Sequence, residues 1–300
     1  MAELTRVRSM LFMPASRAGM IAKIPRLAPD VAVVDLEDAV PADAKDAARD
    51  IAAAAIGALD PAGPATVLIR VNPVGTPWFA DDVAAFAHVA PDAILVPKIQ
   101  SAEQLDGVGT RLLDMHADRR IRIWAMIETP LAVFNIAAIA AAARDSESRL
   151  AGFVLGTNDL AKETRARIVA GRAPMVAWLM ACVAAAHAYG IDALDGVYND
   201  IADADGFAAE CAQGRDMGFD GKTLIHPNQI GPCNAAFSPS PGEVEEARRI
   251  IAAFDLPENH GKGVVKLDGR MVERMHADIA RRVVAIADAI ARTAAQSASV

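Results

Sequence analysis

The chain alternates between two textures. Short apolar runs rich in β-branched or aromatic residues end in a charged side chain, and longer alanine-rich stretches with helical spacing separate them. Ser9 to Pro14, Val31 to Glu37, Ala65 to Asn72, Ala93 to Ile99, Ile121 to Ile127, Leu150 to Leu155, Leu194 to Tyr198 and Lys222 to Pro227 read as strands. Ala18 to about Leu27, Asp43 to Leu59, Trp78 to Val89, Pro130 to Ala143, Ala173 to Tyr189 and Asp203 to Met217 read as helices, with Ser101 capping another ahead of Gln104. Eight strand–helix units predict an α/β fold, a parallel TIM (β/α)8 barrel. An open doubly wound sheet is the runner-up, disfavoured because no glycine-rich dinucleotide fingerprint is present.

After Ser238-Pro-Ser-Pro-Gly242 the pattern changes. A helix is predicted from Glu243 to about Phe254, a loop from Leu256 to Gly263, an extended piece over Val264 to Val272 and a last helix over Arg274 to Ala295. The division is therefore a barrel over 1–237 and a C-terminal helical extension over 238–300, with Gln296 to Val300 expected to fray. The apolar stripe Ile279, Val283, Val284, Ile286 and Ile290 of the last helix needs a partner, on the same chain or a neighbour.

Bulk properties narrow the function classes. No apolar run reaches the ~20 residues of a membrane span, and Met1 to Arg8 lacks the features of a signal peptide. Cys182, Cys211 and Cys233 are few, odd in number and far apart, which suits free thiols in a reducing, cytoplasmic setting and neither a disulfide framework nor a zinc site. A net charge of −8 argues against a nucleic-acid surface.

In a parallel barrel the chemistry gathers at the carboxyl ends of the strands. Those ends supply Arg17, Glu37, Asp38, Arg70, Asn72, Lys98, Glu128, Asp159, Asp195 and His226. Glu128 and Asp159 flank one βαβ unit. They suit Mg²⁺, which takes one or two protein carboxylates and leaves other positions to water and substrate; they equally suit capping of the helices that follow. Arg70 offers a fork for a carboxylate, or a structural ion pair with Glu37 or Asp38. Lys98 reads as a functional cation or an ion-pair partner, and His226 as a base or a hydrogen-bonded barrel-end histidine. Trp78, Trp124 and the methionines read as packing.

The ordered motifs Arg8-Ser-Met-Leu-Phe-Met-Pro-Ala-Ser-Arg17, Val33-Val-Asp-Leu-Glu-Asp-Ala-Val40, Ile69-Arg-Val-Asn-Pro73, Val96-Pro-Lys98, Ile127-Glu-Thr129, Gly156-Thr-Asn-Asp-Leu160, Gly221-Lys222 and Ile225-His-Pro227 closely resemble the citrate lyase β-subunit-like family, the CoA-ester lyases of the HpcH/HpaI aldolase superfamily. The resemblance implies Mg²⁺ on Glu128 and Asp159. It implies a 2-oxo acid held by Arg70 and by the backbone of Gly156, Thr157, Asn158 and Asp159, and a CoA ester as substrate, its nucleotide end near Ser16 and Arg17. It further implies a homotrimer or hexamer whose extensions close neighbouring active sites. The expected reaction is reversible cleavage of a malyl-, citramalyl- or citryl-CoA type 3-hydroxyacyl-CoA. Thioester hydrolysis, a CoA-independent aldolase and a non-catalytic 2-oxo-acid binder are the alternatives. Arg70, Glu37 and Asp38 are the barrel's catalytic candidates. The family's aspartate base falls at Glu273 in Met271-Val272-Glu273, a carboxylate one methylene longer, with Asp268 nearby.

Overall fold

The computed structural model describes residues 7–61 and 63–297. Its contacts divide the chain into two compact units, Val7–Phe237 and a second from Ser238 onward.

In the first unit eight parallel strands close a barrel: β1 (Ser9–Pro14), β2 (Val31–Asp35), β3 (Thr66–Arg70), β4 (Ala93–Val96), β5 (Arg122–Ile127), β6 (Leu150–Leu155), β7 (Asp192–Asp195) and β8 (Gly221–Leu224), with β8 returning to β1. Helices connect successive strands, as a TIM-type barrel requires. Nearly every strand residue is buried, because one face of the sheet packs on helices and the other fills the barrel. Trp124 lies wholly inside, opposite Gly152, where any side chain would overlap the indole ring; its expected packing role fits that position.

The observed elements depart from the expected ones at chemically definable points. The helix expected over Ala18 to Leu27 is two short helices, Ala18–Ile21 and Ile24–Leu27, because Pro25 has no N–H to continue the first. The expected crossover Pro130 to Ala143 breaks at Asn135, whose side chain leaves the helix to donate to the Gln100 carbonyl at 2.9 Å. β7 covers Asp192–Asp195, not Leu194 to Tyr198, and β8 stops at Leu224. Ser101 occupies the N-cap position without a capping bond; Gln104 Oε1 instead accepts from the Gln100 amide.

The second unit packs a helix over Pro241–Asp255 against the terminal helix Arg274–Ser297. Ser240 and Glu243 cap the first with reciprocal bonds. The extended piece is a hairpin, β9 (Val264–Leu267) and β10 (Arg270–Glu273). Asp268 and Gly269 form its two-residue turn, both with positive φ, 49° and 82°, as a type I′ turn demands. Val265 and Val272 face Ala253, Phe254 and Ala277 in a small core of their own. The last helix runs to Ser297; residues 298–300, where most of the expected fraying falls, lie outside the described residues, as do 1–6 at the start. None of the helices is long and apolar enough to cross a membrane, among the described residues.

Candidate active site

Parallel register brings the chemistry together. β2 and β3 end at the same level, with Asp35 beside Arg70. Asp35 takes the guanidinium side-on, accepting from Nε at 2.7 Å and Nη2 at 2.6 Å. The same carboxylate accepts from the Glu37 and Ala39 amides, so one side chain fixes both the arginine and the acidic turn after β2. Lys45 closes that turn from the other side, donating to the Leu36 and Glu37 carbonyls.

Arg70 is buried, with Nη1 2.8 Å from Glu37 Oε2 and 3.6 Å from Asp38 Oδ2. Phe12 lies beneath its guanidinium at 5.0 Å. Burial favours the neutral form, but Asp35 and Glu37 outweigh it and hold the arginine firmly protonated. Asp35 occupies the Nε–Nη2 edge and Glu37 sits against Nη1, so the guanidinium is held in one orientation on the cavity wall, where a ligand would meet it alongside these carboxylates.

Glu128, at the end of β5, is 1% exposed. Its Oε1 accepts the Lys98 amide at 2.8 Å, and Lys98 presents that amide from a left-handed conformation, φ 54°. Gly156 packs so closely that a Cβ there would lie 2.4 Å from Glu128 Cβ and Oε2. Thr129, not Glu128, caps the helix that follows, accepting from Ala132 N, so the capping role does not account for Glu128. Asp159 lies in the first turn of the helix Thr157–Thr164, where a carboxylate also suits the dipole. The Lys98 ammonium joins the two halves, 2.5 Å from Glu37 Oε1 and 3.7 Å from Asp159 Oδ2.

These groups border a cavity of about 390 Å³ in the barrel mouth, whose wall includes Asp38, Arg70, Met126, Glu128 and residues 154–159. First-turn amides of Thr157–Thr164 have no intrahelical partner and suit an anionic ligand. Glu37 lies beneath, clamped between Arg70 and Lys98; burial still raises its pKa. Burial, with the Glu37 charge beside it, pushes Glu128 up to about 8 against the pull of Arg70 and Lys98.

That imbalance is the test of whether a metal fits. Asp35, Glu37, Asp38, Glu128 and Asp159 outnumber the cations Arg70, Lys98 and Lys45, and the most buried ligand candidate is short of positive charge. A dication between Glu128 and Asp159 would supply it. Two carboxylates, with neither His nor Cys beside them among the described residues of the cavity wall, are the donor set that suits Mg²⁺, which takes one or two protein carboxylates and leaves its other positions to water and substrate.

Other strand-end residues lie elsewhere. Asp195 is fully buried against Arg172 at 2.6 Å and Lys222 at 3.0 Å, and does not face the mouth. Asn72 is held by Asp82. His226 Nδ1 accepts from the Asn228 amide, as a barrel-end histidine. Ser16 and Arg17 are exposed just beyond Pro14, itself on the cavity wall. In the second unit Glu273 is exposed, while Asp268 is the turn residue described above and pairs with Arg249 at 2.7 Å. Asp35 was absent from the expected site; its signal was an acid ending β2 at the level where Arg70 ends β3.

Residues 8–227 match the HpcH/HpaI aldolase/citrate lyase family. The chain belongs to that family. Within it, the chain is 46% identical over 284 residues to the (3S)-malyl-CoA thioesterase of Cereibacter sphaeroides, covering 95% of each. It is 34% identical to the citrate lyase subunit beta of Haemophilus influenzae, covering 92% of this chain and 95% of that one. The CitE protein of Mycobacterium tuberculosis, solved in complex with magnesium, acetoacetate and coenzyme A, superposes with a TM-score of 0.76 at 30% identity, over 94% of this chain and 98% of that one.

Proposed function

We propose that this protein is a Mg²⁺-dependent enzyme acting on the CoA ester of a 3-hydroxy dicarboxylic acid of the malyl-CoA type, and that it hydrolyses the thioester. The observation that carries the substrate class is the gathering, around one cavity, of a fixed arginine with the carboxylates Glu128 and Asp159 in a mouth where acids outnumber cations. The end-to-end similarity to a malyl-CoA thioesterase supports hydrolysis over cleavage.

In this reading Glu128 and Asp159 hold the metal, which when bound supplies positive charge for the hydroxyl and carboxylate oxygens of the acyl group. Arg70, on the cavity wall, donates to an oxygen of that same carboxylate, the one free carboxylate of a malyl-CoA type substrate. Backbone amides of Thr157, Asn158 and Asp159 fix an oxygen from the other side. Asp38, 64% exposed on the cavity wall, is the most exposed carboxylate of the site. It accepts the proton of an attacking water; the water oxygen bonds to the thioester carbon, the C–S bond breaks, and the leaving CoA thiolate takes that proton from Asp38. Arg17, exposed on the rim, meets the nucleotide phosphates.

Carbon–carbon cleavage to an acyl-CoA and a 2-oxo acid is the second reading, and one feature favours it. Glu273 lies on a hairpin face with Val264 and Met271, continued by Met275 and Ile279, all exposed. A carboxylate ringed by exposed apolar groups suits docking on another copy of the chain, as the base of a shared site in a cytoplasmic trimer or hexamer. Incubation with malyl-CoA, citramalyl-CoA and citryl-CoA, reading free thiol and 2-oxo acid in parallel, separates the two. Thiol without oxo acid supports hydrolysis; oxo acid formed with acyl-CoA, without thiol, establishes the lyase; neither product overturns both.

A further inference from the structure

Lys98 contacts all three carboxylates at the floor of the site, by two different parts of one residue. Its main-chain N–H holds Glu128 Oε1. Its ammonium holds Glu37 and reaches Asp159. The first contact needs the left-handed backbone and no side chain; the second needs only the charge. Burial alone would pull the lysine toward neutrality, but the Glu37 hydrogen bond and the surrounding acids keep it charged.

We propose that the Lys98 ammonium is the site's internal counter-ion, competing with Mg²⁺ for Asp159 and so setting how weakly the metal is held. The ammonium lies 3.7 Å from Asp159 Oδ2, and a dication held by the same carboxylate would compete with it and repel it. Glu37 gives the ammonium a second anchor at 2.5 Å, so it yields Asp159 when the metal enters without leaving the site. Lys98 is thus a positioning residue for the metal, and its charge keeps Mg²⁺ exchangeable. The inference rests on the reading of Glu128 and Asp159 as the metal ligands.

The sign of one measurement tests it. Mg²⁺ binding is titrated calorimetrically on the wild type, Lys98→Met, Lys98→Gly and Lys98→Arg. The counter-ion role requires Met and Gly to bind Mg²⁺ about tenfold tighter or more, and Arg to stay near wild type. Glycine accepts the positive φ without strain, so it keeps the Lys98 amide on Glu128 if methionine disturbs the loop. A purely structural lysine predicts the opposite sign, because a loosened Glu37 would disturb the ligands. Unchanged or weaker affinity in the folded variants overturns the proposal. Failure of both Met and Gly to fold also counts against it, since a counter-ion must be dispensable to the fold. A wild type that binds no Mg²⁺ overturns instead the ligand assignment beneath it.

Discussion

Asp35 grips Arg70 along the Nε–Nη2 edge of its guanidinium, with both oxygens engaged at 2.7 and 2.6 Å in a buried pair. The pair turns an arginine, which has many rotamers, into a guanidinium fixed in one orientation on the cavity wall. Removing one partner of a buried pair costs about 3–5 kcal/mol. Asp35→Ala is therefore expected to lower the melting temperature measurably and raise the KM for the acyl substrate, while Asp35→Asn, which keeps the shape, loses less stability. Wild-type stability and KM in Asp35→Ala would show the pair to be incidental.

Arg70→Lys keeps a charge but presents no planar fork to Asp35 and ligand together. The expected result is a fall in kcat/KM of about a hundredfold or more, with circular dichroism unchanged. A near-normal kcat/KM would remove Arg70 from substrate binding.

Gly156→Ala is expected to weaken Mg²⁺ binding by about tenfold. The added methyl would overlap Glu128 Cβ and Oε2, and the Gly156 backbone is held between the end of β6 and the first turn of Thr157–Thr164, its amide bonded to the Ile127 carbonyl, so the carboxylate is the part that moves. Calorimetry reads this directly; unchanged affinity would mean that the Glu128 position does not matter to the metal.

Much of this was legible in the chain. Most barrel strands read as apolar runs followed by a charge, and the mouth residues Arg70, Lys98, Glu128 and Asp159 fall on those closures because a parallel barrel collects strand ends. What was hidden depended on partners distant in sequence. Asp195 ends a strand just as Glu128 does, yet Arg172 and Lys222 draw it inside. The break at Asn135 is set by the Gln100 carbonyl, which no local alanine pattern records. Lys98 gives no sign in the sequence of its left-handed backbone, although the hold on Glu128 depends on it.

The two acids of the hairpin segment separate by role. Asp268 sits in a turn and pairs with Arg249 at an exposed position, which is worth at most about 1 kcal/mol. Asp268→Asn is expected to leave turnover unchanged. Glu273→Gln lowers turnover if its carboxylate serves a neighbour's mouth. Mixing inactive Glu128→Ala and Glu273→Ala chains under verified subunit exchange then restores activity; no restoration argues against shared sites.

Calorimetric titration of the chelator-treated protein with MgCl₂ tests whether Glu128 and Asp159 together hold Mg²⁺ in the barrel mouth. One site per chain is expected in the wild type, with binding lost in both Glu128→Gln and Asp159→Asn while each remains folded. Wild-type Mg²⁺ affinity in either variant would contradict it.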